Sequence, residues 1–258
     1  ITTANGNINL QGTIDGNQSL ALDSGSGKVT FDGTIGSTTA LTSLTVNSSG
    51  TGTIEITNIG TTSAAGVTGT TAIGNTNTGT LTLDGTTYTT NAATYTATSG
   101  ENIDLTGAST TTFTTSNDNI TFGTATLEMS DGSNLVVNTD TGVGHINLLG
   151  GAMGTSSETI TLSAGTGDVA IGAIGTGTEV ADVSITSTGT TTFHGDFTGG
   201  ALTNTGAVVV AADITIGTGD VTLGGTLDSL NGSQSIIFNN TGADIEITGA
   251  VGGTKAFS

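Results

Sequence analysis

The sequence predicts an all-β protein: a parallel β-helix, or β-solenoid, of short strands joined by Gly/Asn/Thr-rich turns. Three observations carry that expectation. Apolar-x-apolar triplets recur along the whole chain, its 258 residues contain no proline, and distant segments repeat one apolar rhythm. Alternation at period two marks a half-buried strand. Proline, used at about 5% in ordinary proteins, is excluded from strands paired on both sides because it has no N–H to donate. Tandem β-sandwich domains are the alternative, since they also place short strands at regular spacing. Sandwiches, however, usually carry a buried tryptophan or tyrosine and some loop proline. This chain has no tryptophan and only 3% aromatic residues.

In chain order the triplets are Ile8–Leu10, Leu20–Leu22, Val29–Phe31, Leu44–Val46 and Ile54–Ile56, then Leu81–Leu83, Ile103–Leu105, Ile120–Phe122 and Leu127–Met129. Ile146–Leu148, Ile160–Leu162, Val169–Ile171 and Val183–Ile185 follow, and Ile214–Ile216, Val221–Leu223 and Ile245–Ile247 complete the set. Clusters of Gly, Asn, Ser, Asp and Thr separate them, which are turn formers. In a β-helix the rungs stack at about 4.8 Å, and inward Leu, Ile, Val and Phe form columns. Outward threonine suits the pleat because it is β-branched, and glycine serves corners that need positive φ.

The triplets belong to longer echoes. "GNINLQG" from Gly6 returns as "GHINLLG" from Gly144 and "GDVTLGG" from Gly219, and "QSLALDSGSGKVTF" from Gln18 as "ETITLSAGTGDVAI" from Glu158. "GTGDV" stands at both 165–169 and 217–221. Residues 18–42 align without a gap on 234–258, with Leu20, Leu22, Val29, Phe31, Ile35 and Leu41 opposite Ile236, Phe238, Ile245, Ile247, Val251 and Phe257. Self-similarity of this kind signals a repeat architecture with rungs of roughly 20–30 residues. Residues 1–258 are therefore expected to be a single β-solenoid segment of a longer repetitive protein, with related internal copies beginning near 6, 144 and 219. The offset between the aligned segments is expected to be several whole rungs.

Composition excludes several functions. Lys28 and Lys255 are the only basic residues, and the formal net charge is −19. Phosphate backbones need lysine and arginine to displace counterions, and anionic lipid surfaces need the same charges, so neither nucleic acid nor a membrane surface is an expected partner. No apolar run approaches the roughly 20 residues of a membrane span. "ITTANGNINL" lacks a charged start and an apolar core, so no signal peptide is expected there and an export address would lie upstream of Ile1. The absence of cysteine removes disulfides and thiolate chemistry.

Residues that carry chemistry are sparse. His194 and Asp196, two apart in "TFHGDF", would share a face at strand spacing and are a candidate metal pair. Metal sites need three or four ligands, however, and an exposed or turn-flanking histidine is the simpler reading for both His194 and His145. The carboxylates Asp15, Asp32, Asp84, Asp104, Asp118, Asp131, Asp168, Asp220 and Asp228 are spread thinly, and the chain has no arginine. Pectin-cleaving β-helix enzymes need clustered acids with arginine or lysine beside them, so no enzyme is expected and no catalytic, cofactor or metal residue is assigned. Calcium is the one candidate cofactor: "SNDN" at 116–119 and "SDGSN" at 130–134 offer oxygen ligands. Turn chemistry by Asx side chains is the preferred reading of both. Sequons at Asn17, Asn47, Asn119, Asn231 and Asn239 follow from the Asn, Ser and Thr content.

Two stretches, "GNINLQGTIDGNQSLALDSGSGKVTFDGTIGSTTALTSLTV" from Gly6 and "TGGALTNTGAVVVAADITIGTGDVTLGGTL" from Thr198, resemble the passenger repeats of filamentous-haemagglutinin-like adhesins and autotransporters, which are large bacterial surface proteins. The resemblance covers the whole chain as a low-complexity pattern and includes no catalytic motif. It implies a right-handed parallel β-helix, export through an outer-membrane barrel, a secreted or cell-surface location, and a role as a stalk, an adhesin or the subunit of an extracellular fibre. The partners it implies are neighbouring repeats or identical subunits end to end, and host or surface glycans. The family's secretion domain carries Asn-Pro motifs, which a chain without proline does not contain. Two alternatives stand beside it. A carbohydrate-active β-helix enzyme would show three or more carboxylates on one exposed face. An ice-binding solenoid would show Thr-x-Thr on one face of every rung. Threonine runs occur at 110–112 and 190–192, but the residue between the two apolar positions of the triplets varies among Asn, Ala, Thr, Glu, Asp and Ser.

Overall fold

The computed structural model describes residues 1–97, 101–107, 109–217 and 219–258. Residue 218, within the second "GTGDV", lies outside them. The described residues contain no helix, and every ladder between strands is parallel. The chain winds through about ten turns of a three-faced solenoid. It visits the faces in fixed order, and one turn takes from 17 residues (Thr190 to Ala207) to 29 (Ile59 to Tyr88).

Face 1 runs from Ile8–Leu10 through Val29–Phe31, Ile54–Ile56, Leu81–Leu83, Ile103–Leu105 and Leu127–Met129 to Ala152–Met153. It continues by a single bridge at Ile174 to Phe197–Thr198, Ile214–Gly217 and Ile236–Phe238. Face 2 begins as bare bridges at Ile14, Ile35 and Ile59. It widens from the first part of Thr87–Tyr95 into Thr111–Thr114, Leu135–Asn138, Ile160–Gly165, Val183–Ser187, Leu202–Asn204, Val221–Leu223 and Ile245–Ile247. Face 3 carries Ser19–Leu22, Ser43–Val46, Val67–Ile73, the second part of Thr87–Tyr95, Ile120–Phe122, Ile146–Leu148, Val169–Ile171, Thr190–Phe193, Ala207–Val210 and Leu227–Ser229.

In-register stacking turns alternation in sequence into columns in space. On face 3 one inward column reads Leu22, Val46, Ile73, Tyr95, Phe122, Leu148, Ile171, Phe193 and Val210. All of these are buried, and each large apolar side chain removed from water contributes about 1.5–3 kcal/mol. Around Tyr88 the interior is filled by rings. Tyr88 stacks on Phe113 at 4.8 Å between centroids, and Tyr95 stacks on Phe122 at 5.5 Å.

Every triplet named from the sequence lies in a strand. Val29, Phe31, Val169 and Ile171 point into the core with no exposed surface. Ile247 packs against the core, whereas Ile245 is 44% exposed, because its strand pairs on one side only. Several of the strands that the triplets miss put a polar residue at an inward position: Thr71, Thr111, Thr191, Asn204 and Ser229 are all buried. The segments beginning near 6, 144 and 219 enter three different faces, at Ile8, Ile146 and Val221 respectively. The aligned segments likewise set Leu20 on face 3 against Ile236 on face 1, and Val29 on face 1 against Ile245 on face 2. Their offset is therefore whole turns plus one face, not whole rungs. What repeats is one strand with its corner, and all three faces share the same in-out alternation.

Candidate functional surfaces

The scattered Asx residues have a common place: the position just before the first inward residue of a strand. There the side-chain oxygen accepts the backbone N–H of the equivalent residue one rung on. Asn7 holds Lys28 at 2.9 Å, Asn119 holds His145 at 2.8 Å, and Asn134 holds Thr159 at 2.8 Å. Asp168 holds Thr190, Asp182 holds Ala201 and Asp213 holds Ser235, each at 2.8 Å, while Asp196 holds Thr215 at 2.7 Å and Asp220 holds Asp244 at 3.0 Å. Side chains of this length satisfy backbone donors where a corner has turned the carbonyls away, and a carboxylate acceptor makes the stronger bond. The sequence signal is Asx directly before an aliphatic or aromatic residue, as in "DV", "DI" and "NI". Sequence reasoning passed over it because it looked for clusters.

Asp15 and Asp23 at corners, and Asp228 in the strand Leu227–Ser229, do similar work. The N–H groups of Thr39 and Thr38 hold Asp15 below the usual range, the Ser49 hydroxyl and Gly25 N–H do so for Asp23, and the Thr254 and Lys255 N–H groups for Asp228. Glu158 is the extreme case and was also missed. It is fully buried in the corner before Ile160–Gly165. Burial alone would raise its pKa, but the Thr155 N–H, the Ser157 hydroxyl, the Gly132 N–H and the Thr155 hydroxyl outweigh that and bring it to about 2. Gly132 reaches it from the preceding rung at 3.0 Å, so Glu158 ties two rungs together.

The candidate metal pair is not assembled. His194 and Asp196 sit on a corner, not a strand, so strand spacing does not apply to them, and Asp196 is engaged with Thr215. Of the candidate calcium stretches, Asn119 holds the N–H of His145, Asn134 holds Thr159, and the Ser133 hydroxyl donates to the Gly107 carbonyl. Asn117 and Gly132 take positive φ, as turn residues do. Among the described residues no group of three His, Cys, Asp or Glu is placed to hold a metal ion. Asn47 is buried, and its side chain holds the Ser24 N–H at 2.9 Å.

Face 1 gathers the acids. Its outward row reads Asn9, Thr30, Glu55, Thr82, Asp104, Glu128 and Met153. Lys28 pairs with Glu55. Burial, then Glu55, raises the pKa of Asp84, and burial, then Glu128 and Glu101, raises that of Asp104. Asp104 and Glu128 line a shallow depression of about 320 Å³ with Met153 and Thr155.

Face 2 is different. From Thr87 onward each rung shows two outward residues: Thr87/Thr89, Thr112/Thr114, Val136/Asn138, Thr161/Ser163, Ser184/Thr186 and Thr203/Thr205. Over these six rungs no charged residue stands in either rank, although the chain carries −19; beyond them the first rank continues through Thr222 to Glu246. The variable outward residue seen in the triplets came from sampling all three faces at once.

No protein family, curated protein or solved structure matches the chain.

Proposed function

We propose that the chain is a structural and adhesive β-solenoid, a length of stalk from a bacterial surface adhesin or of an extracellular fibre. The observation that carries this reading is the rung-to-rung clamp. Most side-chain hydrogen bonds hold one rung to the next, which builds a stiff rod and leaves few groups for chemistry. The strands Ile8–Leu10, Ile236–Phe238 and Ile245–Ile247 each pair on one side only among the described residues, and a further rung against the last of these, from the same polypeptide or an identical neighbour, would bury Ile245 and Val251. Antibody against this segment should label intact cells of its source. Label that appears only after lysis would contradict a surface role.

A second reading, a carbohydrate-active β-helix, is favoured by the Asp104–Glu128 pair with Glu101 nearby on face 1. Release of reducing sugar from acidic or neutral polysaccharides, lost in Asp104→Asn, would support it. Equal inactivity of both proteins would remove it.

A further inference from the structure

We propose that face 2, between the rungs of Thr87 and Thr203, binds an ordered lattice of water, the surface of ice. This goes beyond a stalk role and stands on separate observations.

The first is geometry. Two outward residues on one strand are two residues apart, about 6.6–6.8 Å, and equivalent residues on successive rungs are about 4.8 Å apart. Six consecutive rungs keep this net, over about 24 Å of rod. A rectangular net of that size is close to the spacing of oxygen atoms on a prism face of hexagonal ice; at its start Thr89, Thr114 and Asn138 line a depression with Thr62, Ser63 and Ala65.

The second is hydrogen-bond capacity. Some threonine hydroxyls of the rod are used within the protein: Thr57 donates to the Phe31 carbonyl, Thr139 to Gly144 and Thr166 to Gly142. In the two ranks only Thr205 bonds back among the described residues, to the Ser187 backbone. The other hydroxyls of the two ranks have no partner among the described residues and point outward from strands held on both sides. Threonine is stiff at χ1, so both its hydroxyl and its methyl are already placed, and ordering water against them costs little further freedom.

The third is what the face lacks. It has no cation for phosphates or anionic glycans and no carboxylate in the ranks for metals. It has no exposed ring for stacking on sugars, because Tyr88 and Phe113 turn inward. It has no continuous apolar area for a protein or lipid partner. Hydroxyl and methyl groups in a rigid, neutral, periodic plane suit a partner that is itself a neutral, periodic array of donors and acceptors. Val136 fits the same rule, since it keeps the shape and methyl of threonine.

The test is partition into slowly growing polycrystalline ice, with inhibition of ice recrystallisation as the second readout. The full chain should enter the ice and keep crystals small. Thr161→Lys and Ser184→Lys, which each put a charged side chain in the middle of the first rank, should lose both effects with unchanged circular dichroism and melting temperature. Thr82→Lys, on face 1, should keep them. Exclusion of the folded chain from ice, equal behaviour of the face 1 and face 2 variants, or retention on insoluble cellulose or chitin in place of ice would each overturn the proposal.

Discussion

His145 Nδ1 accepts the backbone N–H of Asp168 at 2.8 Å, and Asp168 does the same one rung further on for Thr190, also at 2.8 Å. With Asn119 below, a line of side chains therefore crosses four rungs at the entrance to face 3. Asp168→Ala should lower stability by about 1–2 kcal/mol, as the loss of a comparable side-chain cap does, whereas Asp168→Asn keeps an acceptor and should cost less. Chemical denaturation of the three proteins decides it. Equal midpoints would show that the clamp adds nothing to the ladder.

Glu158 should make stability depend on acid. Its folded pKa of about 2 lies below the ordinary 4.5. A depressed carboxylate stabilises above its unfolded pKa, and that contribution is lost as pH falls through the folded one. The melting temperature should therefore drop as pH falls from about 4.5 toward about 2. Glu158→Gln should melt lower at neutral pH and show a smaller acid-induced drop. A variant that matches the parent at every pH would contradict this role.

Two buried tyrosines should respond oppositely to loss of the hydroxyl. The Tyr88 hydroxyl donates to the Ile56 carbonyl at 2.8 Å and accepts the Gly85 N–H at 3.0 Å. The Tyr95 hydroxyl is buried with no partner among the described residues, and burial pushes its pKa well up. An unmade bond in the interior costs about 1–3 kcal/mol. Tyr95→Phe should thus be neutral or stabilising, and Tyr88→Phe destabilising by about 1 kcal/mol. Thr71→Val, which removes another unpartnered buried hydroxyl, should behave like Tyr95→Phe. Calorimetry on the three variants checks the signs.

Thr30 faces outward between Asn9 and Glu55 in a ladder paired on both sides. Thr30→Ala should be mild. Thr30→Pro removes an N–H from that ladder and should cost about 3 kcal/mol or more, by analogy with other interior prolines. Similar melting temperatures for the two would contradict a doubly paired strand.

Much of the fold was legible because burial on a pleat writes itself as alternation. Leu81–Leu83 or Val169–Ile171 could be read as strands from three letters. Thr190–Phe193 and Leu202–Asn204 could not, since Thr191 and Asn204 occupy inward positions and satisfy each other across the core at 2.8 Å. That compensation is visible only once the rungs are stacked. The assignment of strands to faces was equally hidden, because Ile8, Ile146 and Val221 have the same local sequence environment on three different faces. The outward ranks of face 2 escaped for this reason: Thr112 and Thr161 are neighbours only through Val136, across three rungs. Glu158 gave no signal either, because its donors come from Thr155, Ser157 and, on another rung, Gly132.

The absence of cysteine permits clean pairwise spin labelling of the stacked rungs. Thr112 and Thr161 are two rung steps apart, Thr112 and Thr203 four, and Thr112 and Thr222 five. With cysteine introduced at each pair, pulsed electron paramagnetic resonance should give separations that grow by about 4.8 Å per rung and reach about 24 Å for the last pair. Separations that do not rise with rung number, or a Thr112–Thr222 distance shorter than Thr112–Thr203, would contradict a parallel solenoid.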